Sequence, residues 1–319
     1  MMTPLPVRLA HELDVQPAEH RWLIEELWAS DAVGIVGGEP KCCKSFLALD
    51  VAVAVASGAP CLRRFRPRRT GRVLLFAAED ALHIVRARLA GIARAAGVAF
   101  ETLDIQVITA ATVRLDLPDD QDRLRQTVAL LQPTLLVLDP FVRLHRVDEN
   151  AAAEVAPVLA YLRELERDFH TAVLLVHHAR KGAAHARAGQ ALRGSSELHA
   201  WGDSNLYLRR RGDTLSLAIE HRAAPSRDGL VVELRAHGEA LALHVVDDGA
   251  RPDPVATPPT LALAERVEHA LAEAATPLTR RALRRICRIR ASTLGPILVR
   301  LLAEGRITRS PVGYRLVSS

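Results

Sequence analysis

A glycine-rich turn between an apolar run and a helix-like segment constrains this chain more than any other feature of its sequence. The turn reads GEPKCCKS from Gly38 to Ser45, and it follows the apolar run Ala32–Val36. Backbone N–H groups at a helix N-terminus hold phosphate oxygens, and a Lys-Ser pair at that point contacts phosphate and Mg²⁺. The pattern predicts a phosphate-binding loop, and the alternative is an accidental turn.

The loop departs from the usual pattern G-x-x-x-x-G-K-[ST] at one position, because Cys43 stands where the second glycine belongs. A β-carbon there is expected to crowd the phosphates or to strain the turn. Lys44 is predicted to reach the β- and γ-phosphates of ATP, and Ser45 to ligate Mg²⁺. The predicted nucleotide contacts are Gly38, Glu39, Pro40, Lys41, Cys42, Cys43, Lys44, Ser45 and Phe46.

The composition suits a globular chain with a sizeable core. Of its 319 residues 49% are hydrophobic and 25% are charged, which predicts one large or two medium domains. No apolar run reaches the length of a membrane span, and no signal-peptide core is present, so we expect no membrane association and a cytoplasmic location. The four cysteines show no metal-ligand spacing and are predicted to be reduced thiols.

Charge is distributed unevenly along the chain. The net charge of the whole chain is +5, yet the segment from Val255 onward carries 11 Arg against 4 Glu, with no Lys or Asp. A nearly neutral part before Val255, followed by a basic C-terminal tail, indicates that the tail binds a polyanion. A Pro-rich linker at 249–259 separates the two parts, and residues 1–31 are interpreted as an N-terminal leader with a short amphipathic helix around Trp22–Trp28.

Polar residues follow several of the buried strands that the sequence predicts before the linker. Glu79 and Asp80 follow the strand 72–78, Asp139 follows the strand 134–138, and His177-His178 follow the strand 171–176. The carboxyl ends of parallel strands are where an open α/β sheet binds its ligand. Asp139 is predicted to hold the Mg²⁺ shell. His177 or His178 is a candidate sensor of the γ-phosphate, and the alternative is that both are structural.

These motifs occur in the order AAED, LLVLDP, HHARK and RGSS, the last at 193–196. In this order they resemble the RecA-like ATPase core, and within it the plasmid replicative helicase of the RepA type, over residues 32–222. The resemblance implies an α/β fold with a mainly parallel central sheet, a RecA-like P-loop NTPase core at 32–248, and a hexameric ring with ATP between subunits.

The resemblance also implies roles for further residues. Glu79 would polarise the attacking water, although it is also interpretable as the neighbour of a helix cap at Asp80. Arg222 matches the position of an arginine that such rings insert into the neighbouring subunit's site. Arg209, Arg210 and Arg211 are rivals for that role, and a surface salt bridge is the remaining interpretation of Arg222.

The tail at 260–319 has the pattern of a small winged helix-turn-helix domain. Helices are predicted at 261–274, 280–286 and 293–304, followed by a two-stranded hairpin. The third helix would read a DNA groove. The candidate DNA contacts are Arg288, Arg290, Thr293, Arg300 and Arg309. The alternative is that this domain binds protein.

The sequence therefore predicts Mg²⁺-dependent ATP hydrolysis coupled to DNA, in a homo-oligomeric replicative or mobile-element helicase. One alternative is an ATP-switched DNA-binding regulator with little turnover. The other is a RecA-like recombination mediator that does not unwind DNA.

Overall fold

The chain forms two compact units, which we describe separately. The computed structural model describes residues 7–12, 21–178, 196–238, 240–246, 267–272, 274, 276–287, 291–310 and 312–316. The first unit is Met1–Val246 and the second is Asp247–Ser319. The predicted linker at 249–259 lies outside the described residues. No helix in the described ranges has both the length and the apolar character that crossing a membrane requires.

A mixed sheet forms the centre of the first unit. The bounds of its strands are β3 Val33–Gly38, β4 Val73–Ala77, β5 Ile105–Val107, β6 Leu135–Asp139, β7 Ala172–His178, β8 Ser204–Arg211, β9 Thr214–His221, β10 Arg227–His237 and β11 Ala240–Val245. Their order across the sheet is β11, β10, β9, β8, β3, β7, β6, β4 and β5. Neighbouring strands from β8 to β5 in that order run parallel, and β8 to β11 form an antiparallel meander. The predicted α/β fold with a largely parallel sheet is confirmed.

Helices cover both faces of this sheet because its central strands are apolar on both sides, as buried parallel strands are. Val36 and Val137 face one core with the first two helices, whereas Ile35 and Leu138 face the other core with the remaining three. The helices are α1 Lys44–Ser57, α2 Leu82–Ala95, α3 Pro118–Leu131, α4 Ala152–Phe169 and α5 Ser196–Trp201. Helix α1 begins at Lys44, directly after the left-handed residue Cys43 of the phosphate-loop motif.

The antiparallel end of the sheet curls over α1 and α2. Ala242 and Leu243 of β11 belong to the same core as α1, and the Val245 amide donates a hydrogen bond to the Leu62 carbonyl at 3.3 Å. Gly91 of α2 permits this approach, because a β-carbon built there would lie 2.6 Å from the Ala240 β-carbon. The meander therefore covers the helix that begins at the phosphate-loop motif.

The N-terminal segment differs from its prediction. Instead of an amphipathic helix, the chain forms a two-stranded hairpin, β1 Trp22–Ile24 and β2 Trp28–Ala29. Glu26 has a φ of 57°, which closes a tight turn and breaks the helical spacing. The Ala29 amide donates to the Ser204 hydroxyl at 3.0 Å, so the hairpin packs beside β8.

A buried ion pair connects α1 to the loop that follows it. Asp50 is fully buried and accepts hydrogen bonds from the Leu62 amide at 2.7 Å and from the Arg63 guanidinium at 2.7 and 2.6 Å. Burial raises the pKa of Asp50, and the neighbouring Arg63 opposes that rise. Because the carboxyl group has no access to water, its charge depends on Arg63.

Arg63→Ala is therefore expected to lower the free energy of unfolding by about 3–5 kcal/mol, since it leaves a buried carboxyl group without its partner. Urea denaturation measures the loss. Arg68→Ala, which breaks the exposed ion pair with Glu25, serves as the matched control and is expected to change stability little. Equal losses in the two variants would contradict the account.

The second unit contains a small helical core with a hairpin. Residues 267–272 are helical, and they precede α6 Arg280–Cys287 and α7 Ala291–Ala303, with β12 Ile307–Ser310 and β13 Gly313–Leu316 after them. The Ala282 amide donates to the Thr279 hydroxyl at 3.2 Å, so Thr279 caps the start of α6. Leu283, Leu298 and Leu301 are buried in its core. Assignment as a winged helix stays a prediction.

Candidate active site

The phosphate-loop motif lies where β3 ends and α1 begins. Gly38 has a φ of 156°, and a β-carbon there would lie 2.4 Å from the Leu208 carbonyl of the adjacent β8. Cys43 adopts φ 64° and ψ 25°, the left-handed conformation that glycine adopts most easily. The Cys43 side chain makes no capping hydrogen bond to α1. The first N–H groups of α1 therefore have no side-chain cap from this residue and suit an anion.

Lys44 extends back over this loop. Its ammonium donates to the Glu39 carbonyl at 2.8 Å and lies 4.0 Å from the Cys42 sulfur. The residue is 5% exposed, and burial lowers the pKa of Lys44, while nearby Cys42 and Asp139 oppose that effect. A cation with so little hydration gains strongly from an arriving polyphosphate.

Ser45 and Asp139 come together across two elements. The Ser45 hydroxyl at the start of α1 hydrogen-bonds the carboxyl group of Asp139 at the end of β6. Burial raises the pKa of Asp139 to about 6, and the Ser45 hydrogen bond counteracts it. A hydroxyl and a carboxylate are oxygen ligands of the type that Mg²⁺ prefers, so this pair fits the predicted metal.

Glu79 and Asp80 follow β4, which pairs with β6 in the register Ala77 to Asp139. Glu79 accepts a hydrogen bond from the Arg143 Nε at 2.9 Å. Asp80 forms an ion pair with Arg88, whose guanidinium also lies 5.1 Å from the ring centroid of Phe46. The two acidic side chains therefore have different cationic partners.

A cleft of about 290 Å³ lies over the loop, at the carboxyl ends of the parallel strands. The residues that line it are Lys41, Cys42, Cys43, Lys44, Ser45, Phe46, Glu79, Arg88, Asp139, Val176 and His178. The predicted loop residues from Lys41 onward, the carboxyl groups of Glu79 and Asp139, and one histidine thus share one space.

The two candidate histidines separate because successive residues of a strand point to opposite faces. His178 lines the cleft. His177 is 1% exposed, and its ring lies 6.0 Å from that of Phe141 in the core under α3 and α4. The structure brings His178 and not His177 to the predicted site.

Arg222 lies at the opposite end of the sheet from the loop. It follows β9, whose last residue His221 pairs with Ser204, and Ser204 in turn pairs with Gly34 at the start of β3. Its guanidinium is 3.4 Å from an Asp203 oxygen. Arg222 therefore does not reach the cleft of its own chain, and its action on a neighbouring subunit stays a prediction.

Arg210 is an alternative to Arg222 for the inserted arginine, and it lies close to the loop of its own chain. The register pairs Gly38 with Leu208, so the following residues of β8 extend past the loop. The guanidinium of Arg210 lies 3.9 Å from the Cys43 sulfur. The sequence did not predict this contact, the position of Arg88 in the cleft or the contact of Arg143 with Glu79. The register in which β8 pairs with β3 is the feature that places Arg210 beside the loop.

The candidate DNA contacts are described only in part. Arg288 and Arg290 lie outside the described residues, as does the side chain of Thr293. The Arg300 guanidinium on α7 is 3.4 Å from Glu304, which directly follows that helix. Arg309 on β12 is exposed and lies over the Tyr314 ring at 6.0 Å from its centroid. Residues 193–195 of the RGSS motif likewise lie outside the described range, and Ser196 begins α5.

A family model described as an AAA domain matches residues 3–184, which is more than half of the chain. The matched range contains the loop, Glu79, Asp139 and His178. It ends before β8 and the basic tail, so the match does not extend to Arg210, Arg222 or the second unit.

Solved structures share the fold at low sequence identity. The ATPase domain of G40P is 15% identical, with a TM-score of 0.50 over 65% of this chain and 83% of that one. The RadB recombinase is 17% identical, with a TM-score of 0.50 over 68% and 92%. A DnaB-like replicative helicase is 14% identical, with a TM-score of 0.50, and the match spans 67% of this chain and 57% of that one. These similarities establish the RecA-like fold alone.

Proposed function

The chain belongs to the AAA domain family, and from that premise we propose that it binds and hydrolyses ATP with Mg²⁺ and couples hydrolysis to DNA. The observation that carries the proposal is the convergence of Lys44, Ser45, Glu79, Asp139 and His178 on one cleft at the carboxyl ends of parallel strands. No other described cluster unites a phosphate-binding loop, oxygen ligands for a cation and a candidate base.

Each of these cleft residues has a separate role in the proposed ATP hydrolysis. The start of α1 and Lys44 hold the phosphates and offset their charge. Ser45 and Asp139 hold Mg²⁺, which supplies charge neutralisation to the transferred phosphoryl group. Glu79 accepts the proton of the attacking water, and His178 contacts the γ-phosphate from the end of β7.

We propose that DNA is the partner of the basic second unit. Arg284 on α6 and Arg309 and Arg315 on the hairpin are exposed cations of this unit. Cations of this kind bind phosphates with an affinity that falls as salt rises. A helicase of the RepA type with a C-terminal winged helix and a hexameric ring is the specific form we propose, with Arg222 acting on the neighbouring subunit.

The test measures the ATPase rate with and without single-stranded DNA, alongside the molecular mass in a non-hydrolysable ATP analogue. A DNA-stimulated rate and a ring-sized mass support the helicase. ATP binding with little turnover, together with a footprint on duplex DNA, would support the regulator instead. Strand displacement then separates a helicase from a recombination mediator.

One observation favours the slower regulator: Cys43 holds a left-handed conformation in the loop. This conformation costs a residue with a β-carbon about 1–2 kcal/mol relative to glycine. Cys43→Gly is therefore expected to raise ATP turnover about five- to thirtyfold, because the loop reaches its phosphate-binding shape without that strain. Steady-state phosphate release measures the change.

Cys43→Ala is the matched control, since it removes the sulfur and keeps the β-carbon. Its rate is expected to stay near that of the wild type. If alanine raised the rate as much as glycine, the thiol and not the backbone would limit turnover.

A further inference from the structure

We infer that Cys42 and Cys43 form a redox modification site inside the phosphate loop. A low-molecular-weight disulfide oxidises the two thiols to an internal disulfide, and the oxidised loop does not bind ATP. The inference rests on the proposed function, because the binding that oxidation removes is that of the proposed nucleotide. It gives a role to two sulfur atoms that the proposed hydrolysis does not use.

The two sulfur atoms have different surroundings in the loop. Cys43 is half-buried and lines the cleft, and its sulfur lies 3.9 Å from the Arg210 guanidinium. Cys42 is 1% exposed, and its sulfur lies over Gly38, where a β-carbon would be 2.6 Å from it. The Lys44 ammonium is 4.0 Å from the Cys42 sulfur. A reagent in the cleft therefore reaches Cys43 first.

The surroundings of Cys43 are those in which cysteines react. Reactive cysteines lie at helix N-termini, beside arginine or lysine, and with part of the side chain exposed. Cys43 directly precedes α1, lies beside Arg210 and is half-buried, so it meets all three conditions. The thiols of Cys61 and Cys287 are 0% and 3% exposed, and neither lines the cleft. Oxidation is therefore expected to begin at Cys43.

The internal disulfide forms in two exchange steps. The Cys43 sulfur attacks the disulfide of the reagent and forms a mixed disulfide, and the proton of Cys43 passes to the first thiol that leaves. The Cys42 sulfur then attacks the Cys43 sulfur, and the second thiol leaves with the proton of Cys42. The two protein thiols lose two electrons and two protons, and the reagent gains both.

The bond requires the loop to change shape. Adjacent Cα atoms lie about 3.8 Å apart, below the roughly 4.4 to 6.8 Å that disulfides usually span, and the bonded sulfur atoms are about 2.0 Å apart. The Cys42 sulfur must therefore leave Gly38, or the Cys43 sulfur must leave Arg210, and the backbone before Lys44 shifts with it. The same strain makes the bond easy to reduce, so the modification is reversible.

The experiment treats the full-length protein with oxidised glutathione, then measures binding of a fluorescent ATP analogue and the mass of the loop peptide. The wild type is expected to bind ATP about 100-fold more weakly, as after loss of the Lys44 contact. Its loop peptide is expected to lack two hydrogen atoms and to carry no glutathionyl group, and dithiothreitol is expected to restore both readouts.

Two variants serve as controls, each compared with its own reduced form. Cys287→Ala removes a buried thiol of the second unit, keeps both loop thiols and is expected to respond as the wild type does. Cys42→Ala removes the second attacking sulfur, so the reaction is expected to stop with a glutathionyl group on Cys43.

The outcomes distinguish this inference from the proposed function. A wild-type loop peptide that keeps both thiols, or that retains a glutathionyl group, would overturn the inference and leave the ATPase standing. An internal disulfide that leaves ATP affinity unchanged would do the same. If the reduced wild type bound no ATP, the proposed function would be overturned and the block of ATP binding with it, whereas the peptide mass would still show whether the two thiols form a modification site.

Discussion

Glu79→Gln is expected to reduce ATP turnover by a factor of about 100 to 10,000 while ATP binding stays close to the wild type. The carboxylate lines the cleft with Lys44 and Asp139, and a positioned general base contributes a rate factor of that size. Glutamine keeps the shape of the side chain but cannot accept the proton. Phosphate release and nucleotide binding, measured on the same preparation, separate the two effects.

The matched control for this variant is Glu101→Gln, which makes the same change at an exposed position remote from the cleft. It is expected to keep the wild-type rate. Turnover in Glu79→Gln within a few-fold of the control would show that another group activates the water, and Asp80 would become the candidate.

Lys44→Ala is expected to weaken ATP binding about 100-fold. The ammonium is 5% exposed and lies within the loop, where it donates to the Glu39 carbonyl. Removing a nearly buried cation from an ionic contact costs this much when the opposite charges stay in place. Titration with a fluorescent ATP analogue measures the loss.

Stability is expected to respond differently from binding in Lys44→Ala. Burial lowers the pKa of Lys44, which means that the protein disfavours this charge in the absence of nucleotide. The variant should therefore unfold at a temperature no lower than the wild type. Arg66→Ala removes one exposed charge after α1 and is expected to preserve ATP affinity. A similar loss of affinity in both variants would mean that net charge, and not Lys44, governs binding.

The sequence predicted the parts of the site that depend on the order of strands and loops. Glu79, Asp139 and the histidines each follow an apolar run, and parallel strands bring such positions to one edge. The sequence could not predict whether His177 or His178 faces the cleft. Side chains alternate between the two faces of the sheet along β7, so only one of the two can line the cleft, but the alternation does not identify it. The packing of Phe141 against His177 decides it.

Other features depend on contacts between distant parts of the chain. The hairpin at Trp22–Ala29 has apolar spacing that also suits a helix, and its pairing beside β8 overrides that local pattern. The curl of β11 over α2 depends on Gly91 meeting Ala240. The Arg143 contact to Glu79 joins residues 64 positions apart, and no local pattern carries that information.

The central claim is that the loop around Cys43 holds a triphosphate although its second glycine is missing. Isothermal titration of the wild-type protein with ATP, in the presence and absence of Mg²⁺, tests this claim most directly. The account predicts saturable, Mg²⁺-dependent binding to one site per chain, and binding about 100-fold weaker in Lys44→Ala. Absence of heat on titration at protein and ATP concentrations that saturate ordinary ATPases, or binding that Lys44→Ala leaves intact, would contradict it.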